Sequence, residues 1–223
     1  MTQLDAWVKN LNKTVFLEWK SKYSSWKKGY KIFYGPVQKN PKLMIISHNP
    51  SGSEYYFQTE DLVRFQRGDF SAPTTNSYTI RKNSMAKRMQ DLFRESEIIL
   101  KESVTFPILF FRSRDVKTWK AVPKKQRFEM EQFCYSKVKE IFEHIKPKKI
   151  LVLGFRTDRK LKKHIFNDFS EGNILKNSKN RKLGYSYSWK KVPIFCMIHP
   201  TGNRISTKDW IKIKQKFYQF VDH

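Results

Sequence analysis

The sequence predicts an α/β fold, with a central, mainly parallel, four-stranded sheet covered by helices on both faces in three layers. Three observations carry that expectation. Four short apolar runs, 43–47, 104–111, 150–153 and 194–198, lack polar alternation, as strands covered on both faces do. Long stretches of helical periodicity separate them. Polar turns follow the runs, and in such sheets the carboxyl ends of the strands are where ligands bind.

The elements follow in order. Residues 4 to about 26 read as an amphipathic helix, the core of an N-terminal helical segment (1–30) packed on one domain that spans 1–223. The first strand (43–47) leads into a loop over 51–83. A helix over 84–100 precedes the second strand (104–111). The helix predicted over 124–145 places Met130, Cys134, Val138, Ile141, Phe142 and Ile145 on one stripe. The third strand (150–153) is followed by a shorter helix, 155–169, and a loop, 172–190, rich in Lys, Asn, Ser and Tyr. Within that loop, residues 176–182 read equally as a phosphate-contacting loop or a solvated hairpin. After the fourth strand (194–198) the chain closes with a helix over 206–221. There Ser206 and Asp209 have the spacing of a capping box, and Trp210, Ile213, Phe217 and Val221 form the stripe.

Composition narrows the function. Apolar residues make up 39% of 223 and aromatics 15%, a globular balance and not a disordered one. Forty-five Lys and Arg against 20 Asp and Glu leave +25, which implies a polyanionic partner, because cations that neutralise phosphates release condensed counterions. Nucleic acid is the expected partner. Solubility alone and an anionic membrane compete less well, since no isolated basic amphipathic helix is visible. The two cysteines, Cys134 and Cys196, are too few for a four-thiolate metal or iron–sulfur site and are expected as buried, reduced thiols. No signal peptide and no apolar run near 18 residues is apparent, so a cytoplasmic protein off the membrane is expected.

Several chemistries lack their motif. Ser51 has no G-x-S-x-G around it, there is no H-E-x-x-H, and Gly154 is a lone glycine after a strand. What remains is a pair of polar turns at the ends of the first and last strands: Ser47-His48-Asn49-Pro50-Ser51-Gly52 and His199-Pro200-Thr201-Gly202-Asn203-Arg204.

These turns resemble the two signature motifs of the uracil-DNA glycosylase superfamily: a Gly-x-(Asp/Asn/Glu)-Pro turn ending the first strand, and a His-Pro-Ser or Asn-Pro-Ser turn ending the fourth. The resemblance, in motif order, separation and strand–helix alternation, spans residues 40 to 220. It implies a uracil-DNA glycosylase-like domain that extrudes a base and hydrolyses its N-glycosidic bond without metal or organic cofactor. Such a reaction makes a sugar cation-like species and a base anion, so it needs an oriented water on one side and hydrogen-bond donors on the other. By resemblance, Asn49 orients the water and His199 stabilises the departing base. Backbone N–H groups near His48 and Asn49 face a base carbonyl, while Pro50 and Pro200 stiffen the turns. Ser47, Pro50 and Ser51 would border the base. Phe70-Ser71 resembles the segment whose Phe stacks on the flipped base, with Phe57 and simple core packing as competing readings. Tyr55 and Tyr56 line the pocket mouth or pack. Gly52, Pro200, Thr201, Gly202, Asn203 and Arg204 are expected at DNA, with Asn203 and Arg204 where the superfamily inserts a side chain into the duplex. Arg112 and Arg114, after the second strand, are expected to reach a phosphate or a base substituent.

The pattern departs from the superfamily at three places. Ser47 replaces the first motif's glycine. Asn49 stands where many members have Asp, and an amide cannot take a proton as a carboxylate can. The second strand, 104–111, has no Asn to read a uracil edge. The expectation is therefore monofunctional excision of uracil or a modified pyrimidine from single- or double-stranded DNA, in repair. The alternatives are an antiphage enzyme that excises glucosylated hydroxymethylcytosine and a catalytically silent nucleic-acid-binding member. A monomer with no obligate protein partner is expected.

Overall fold

The computed structural model describes residues 2–52, 54–201 and 204–222. The chain folds as α1 (Gln3–Lys22), β1 (Met44–Ser47), α2 (Glu54–Tyr56), a π-helical turn (Phe57–Asp61), α3 (Leu62–Gln66), α4 (Ser77–Ile80), α5 (Ser84–Leu92) and α6 (Glu97–Glu102). There follow β2 (Val104–Pro107), α7 (Val116–Lys120), α8 (Lys124–Ile145), β3 (Ile150–Leu153) and α9 (Phe155–His164). The chain then forms β4 (Phe169–Ser170), β5 (Ile174–Lys176), β6 (Lys182–Trp189), β7 (Val192–Met197) and α10 (Thr207–Asp222).

The four predicted apolar runs form the parallel heart of the sheet, in the order β2-β1-β3-β7. Every residue of β1, β2 and β3 is buried, as strands covered on both faces must be. Because side chains alternate across a strand, β1 feeds two cores. Met44 and Ile46 join Val8, Leu11, Phe16 and Trp19 of α1 and the stripe of α8. Ile45 joins Met89 and Leu92 of α5 and Trp210, Ile213 and Phe217 of α10. A mostly parallel sheet flanked by helices on two sides follows directly. Side chains start and stop the helices: Thr2 and Asp5 form a reciprocal cap on α1, and Asp209 N–H donates to Ser206 Oγ (3.1 Å) ahead of α10. Among the described residues, no helix is long and apolar enough to cross a membrane.

The sheet has seven strands, not four. The predicted loop 172–190 is largely strand: β6 runs antiparallel to β7, and β4 and β5 pair antiparallel with β6. The turn between β6 and β7 uses Lys190 (φ +48°) and Lys191 (φ +67°), a pair of left-handed residues of the kind Asn-Gly normally supplies. The predicted loop 51–83 carries α2, the π-helical turn, α3 and α4. The expected helix over 84–100 is broken at 93–96 into α5 and α6. The second strand ends at Pro107, although Ile108 and Leu109 still bond Ser47, the last residue of β1, and His48 after it. α1 stops at Lys22, and α9 at His164, because Phe169 is drawn into β4.

Candidate functional site

The turn after β1 is held from both sides. Ser47 and His48 carbonyls accept the N–H groups of Ile108 (2.8 Å) and Leu109 (3.0 Å), so the end of β2 grips the turn's backbone. Farther on, Ser113 N–H donates to the Pro50 carbonyl at 3.1 Å. The Asn49 amide nitrogen donates to Ser113 O (3.1 Å), Ser113 Oγ (2.9 Å) and Pro50 O (3.3 Å). Carbonyl oxygens only accept, so the nitrogen must face them. Among the described residues the amide's hydrogen bonds all run from Nδ2, which leaves Oδ1 as the acceptor on the other side.

Arg112 completes the clamp. Its Nη1 donates to the Ser51 carbonyl and its Nη2 to Asp61 Oδ2, each at 2.8 Å. Asp61 also pairs with Lys31 at 2.7 Å. Burial lowers the Lys31 pKa, an effect that Asp61 beside it opposes. The next residue, Gly52, has φ +127°, and a Cβ there would sit 2.6 Å from Arg112 Nη1. Glycine is required both for the backbone angle and for the approach of the guanidinium.

Burial of His48 pushes its imidazole down to about 3, with Lys160, Arg156 and His199 adding repulsion against a proton. Its Nδ1 is buried without a partner among the described residues. Two strands away, His199 follows β7. Its Nδ1 accepts from Thr201 N–H at 3.3 Å, which places the neutral ring's proton on Nε2. Burial lowers the His199 pKa as well. Between the two turns, β3 ends in Gly154 at φ +94°, where a Cβ would lie 3.3 Å from His199 Cβ. Gly154 is itself buried, and the missing side chain lets the His199 side chain pack against its backbone.

The other expected site residues divide. Pro50 and Pro200 are buried in their turns, while Ser51, Thr201 and Arg204 are exposed. Arg204's carbonyl accepts from Arg181 (3.0 Å), which ties the 176–182 segment to the second turn. Arg114 is exposed, with only a loose 3.6 Å pair to Asp115. Gly202 and Asn203 lie outside the described residues. Arg112 is a correction: it is buried in the clamp and cannot reach a phosphate from there. Ser47 is buried on the side of Tyr34 and Tyr78, beneath the turn. Phe70 packs against Phe16 (5.7 Å) and stacks on Phe65 (5.6 Å), which is the core-packing reading and not a platform beside Asn49. Phe57 is wholly buried between Trp19 and Tyr30, whereas Tyr55 and Tyr56 are exposed. Cys134 and Cys196 are free and buried, and burial pushes the Cys134 thiol up to about 12.

Asp61 and Ser113 were missed as site-building residues. Asp61 has no sequence signal, because its Arg112 partner is 51 residues away. Arg156, Lys160, Arg159 and Lys163 of α9 did carry one: they are like charges at four-residue spacing, hence one helix face. No group of three or more potential metal ligands occurs among the described residues. No protein-family model matches the chain, and no curated protein matches it.

Two outcomes are expected. Asp61→Ala, which strands a buried guanidinium, should cost about 3–5 kcal/mol in urea unfolding; a loss below about 1 kcal/mol would mean the pair is hydrated. The second concerns pH. The unfolded chain protonates His48 near 6.5, while the folded chain refuses that proton down to about 3. Stability from this group is therefore full above pH 6.5 and falls on acidification, by up to about 1.4 kcal/mol per pH unit. His164 and His199 act in the same direction, so the difference between parent and His48→Gln isolates His48. The variant's slope between pH 6.5 and about 4.5 should be flatter; equal slopes would contradict a buried, neutral ring.

Proposed function

We propose that this chain is a monofunctional DNA glycosylase of uracil-DNA glycosylase-like fold, acting on uracil or a modified pyrimidine. The observation that carries the reading is the placement of the Asn49 and His199 turns at the carboxyl ends of β1 and β7, on either side of β3. An extruded nucleotide would sit there with its sugar toward Asn49 and its base toward His199. Asn49, its amide nitrogen anchored by Ser113, presents Oδ1 to orient a water toward C1′. Water adds its oxygen to C1′ as the C1′–N1 bond breaks, and the electron pair leaves with the base. The water's displaced proton ends on the base or in solvent.

His199 is held neutral by burial, with its proton on Nε2, which suits donation to the oxygen of a departing base anion. Neutrality of both histidines removes competition for the water's proton near pH 7. The +25 net charge supports DNA as the partner. With Arg112 turned inward and Ser113 buried, recognition of the base edge falls to the backbone of the first turn, which suits a pyrimidine other than plain uracil as readily as uracil itself.

The test is a single-turnover assay on oligonucleotides carrying uracil, thymine mismatches, hypoxanthine, 5-hydroxymethylcytosine or glucosylated 5-hydroxymethylcytosine, with alkali revealing abasic sites. One base should be released. His199→Ala should slow release by about 10²–10³-fold, the usual cost of removing one such donor. Asn49→Ala should also lose product while DNA affinity is retained. Tight binding with no abasic product from any base would favour the silent binding protein instead.

A further inference from the structure

Beside the two turns lies a second feature that the base-excision chemistry does not use. A cleft of about 500 Å³ opens between α7, α8 and α9, with His48 at its edge. Six cations line it: Lys120, Arg127, Arg156, Arg159, Lys160 and Lys163. One carboxylate, Glu131, joins them, and it is already paired with Lys160 at 2.7 Å, while Trp119 Nε1 (2.8 Å) and the Tyr135 hydroxyl (3.1 Å) also donate to it. Five positive side chains therefore face the cleft with no acidic partner lining it.

Like charges four residues apart repel, and α9 carries two such pairs on this side, Arg156 with Lys160 and Arg159 with Lys163. Such pairs are mildly unfavourable, and an anion lying against the face relieves them. His48 supplies an independent sign. It is nine-tenths buried, lines the cleft, and its Nδ1 has no partner among the described residues. A buried polar atom without a partner is costly unless a ligand or water completes it. Trp119 and the exposed Phe128 add aromatic surface to the wall. The volume falls in the range of sites that hold small ligands.

We propose that this cleft binds the phosphate groups of a nucleotide, against Arg156, Arg159 and Lys163, with the His48 ring in its lining. Guanidinium and ammonium groups from α9, with Lys120 of α7 and Arg127 of α8 in the same lining, suit phosphate oxygens, which accept charge-assisted hydrogen bonds from several directions. The nucleotide is either free or part of a strand. The proposal stands apart from the glycosylase reading, because binding is measured with no turnover and on a chain with or without activity.

Isothermal titration calorimetry at fixed salt tests it, with inorganic pyrophosphate, a deoxynucleoside 5′-triphosphate and a short single-stranded oligonucleotide as probes. The Arg159→Glu, Lys163→Glu double variant changes exposed positions on α9. The control, Lys9→Glu with Lys13→Glu, makes the same charge change at exposed positions on α1. At least one probe should bind the parent and the control and lose more than about tenfold in affinity in the cleft variant. Loss with the triphosphate identifies a free nucleotide; loss confined to the oligonucleotide identifies a strand. The proposal is overturned if no probe binds the parent, or if the cleft variant binds every probe within about twofold of the control.

Discussion

The buried ion pair between Arg112 and Asp61 is the contact on which the arrangement of the site depends. Both side chains are almost wholly inaccessible, and Lys31 shares the carboxylate. Removing charges from water is costly, so such a pair persists only with further hydrogen bonds, and Arg112 makes one to the Ser51 carbonyl. That bond joins the chain after β2 to the turn after β1, while Asp61 ties in the π-helical turn beyond it. The glycine at position 52 follows from the same contact, since any side chain there would collide with the guanidinium. What looks in sequence like a cation aimed at DNA instead locks the first turn in place.

The second organising constraint is the sheet edge. Parallel pairing of β1, β3 and β7 brings the turns at 48–52 and 199–204 to one side, although some 150 residues of chain separate them. Between them the buried Gly154 lets the His199 side chain pack close to the end of β3. Burial then sets the electrostatics. Both histidines are pushed toward the neutral form, and for His48 the cations of α9 reinforce the effect of burial. A neutral ring next to many cations suits an anion or a developing negative charge, which is the shared requirement of the proposed base departure and the proposed phosphate cleft.

Much of this was legible in the sequence, for identifiable reasons. The four parallel strands announced themselves because strands covered on both faces read as unbroken apolar runs, and the helix over 124–145 because its stripe is regular from Met130 to Ile145. β6 was hidden although its Leu183, Tyr185, Tyr187 and Trp189 alternate with Lys182, Gly184, Ser186 and Ser188. Its polar half made it resemble a loop, and its turn uses two lysines with positive φ where no glycine or asparagine signals a hairpin. The two strand-end turns were legible because they are local, whereas the places of Arg112 and Phe70 were not, being set by distant partners, Asp61 in the one case and Phe16 and Phe65 in the other.

The proposed function requires a single extruded nucleotide to bridge the Asn49 and His199 turns. The most direct measurement is a crystal structure with an oligonucleotide whose target nucleotide carries a 2′-fluorine, which disfavours the sugar cation and preserves the bond. The C1′ atom of that nucleotide should face Asn49 Oδ1 across one water, with a base oxygen within hydrogen-bond reach of the His199 ring. A target base still stacked in the duplex, or seated away from both turns, would rule out this arrangement.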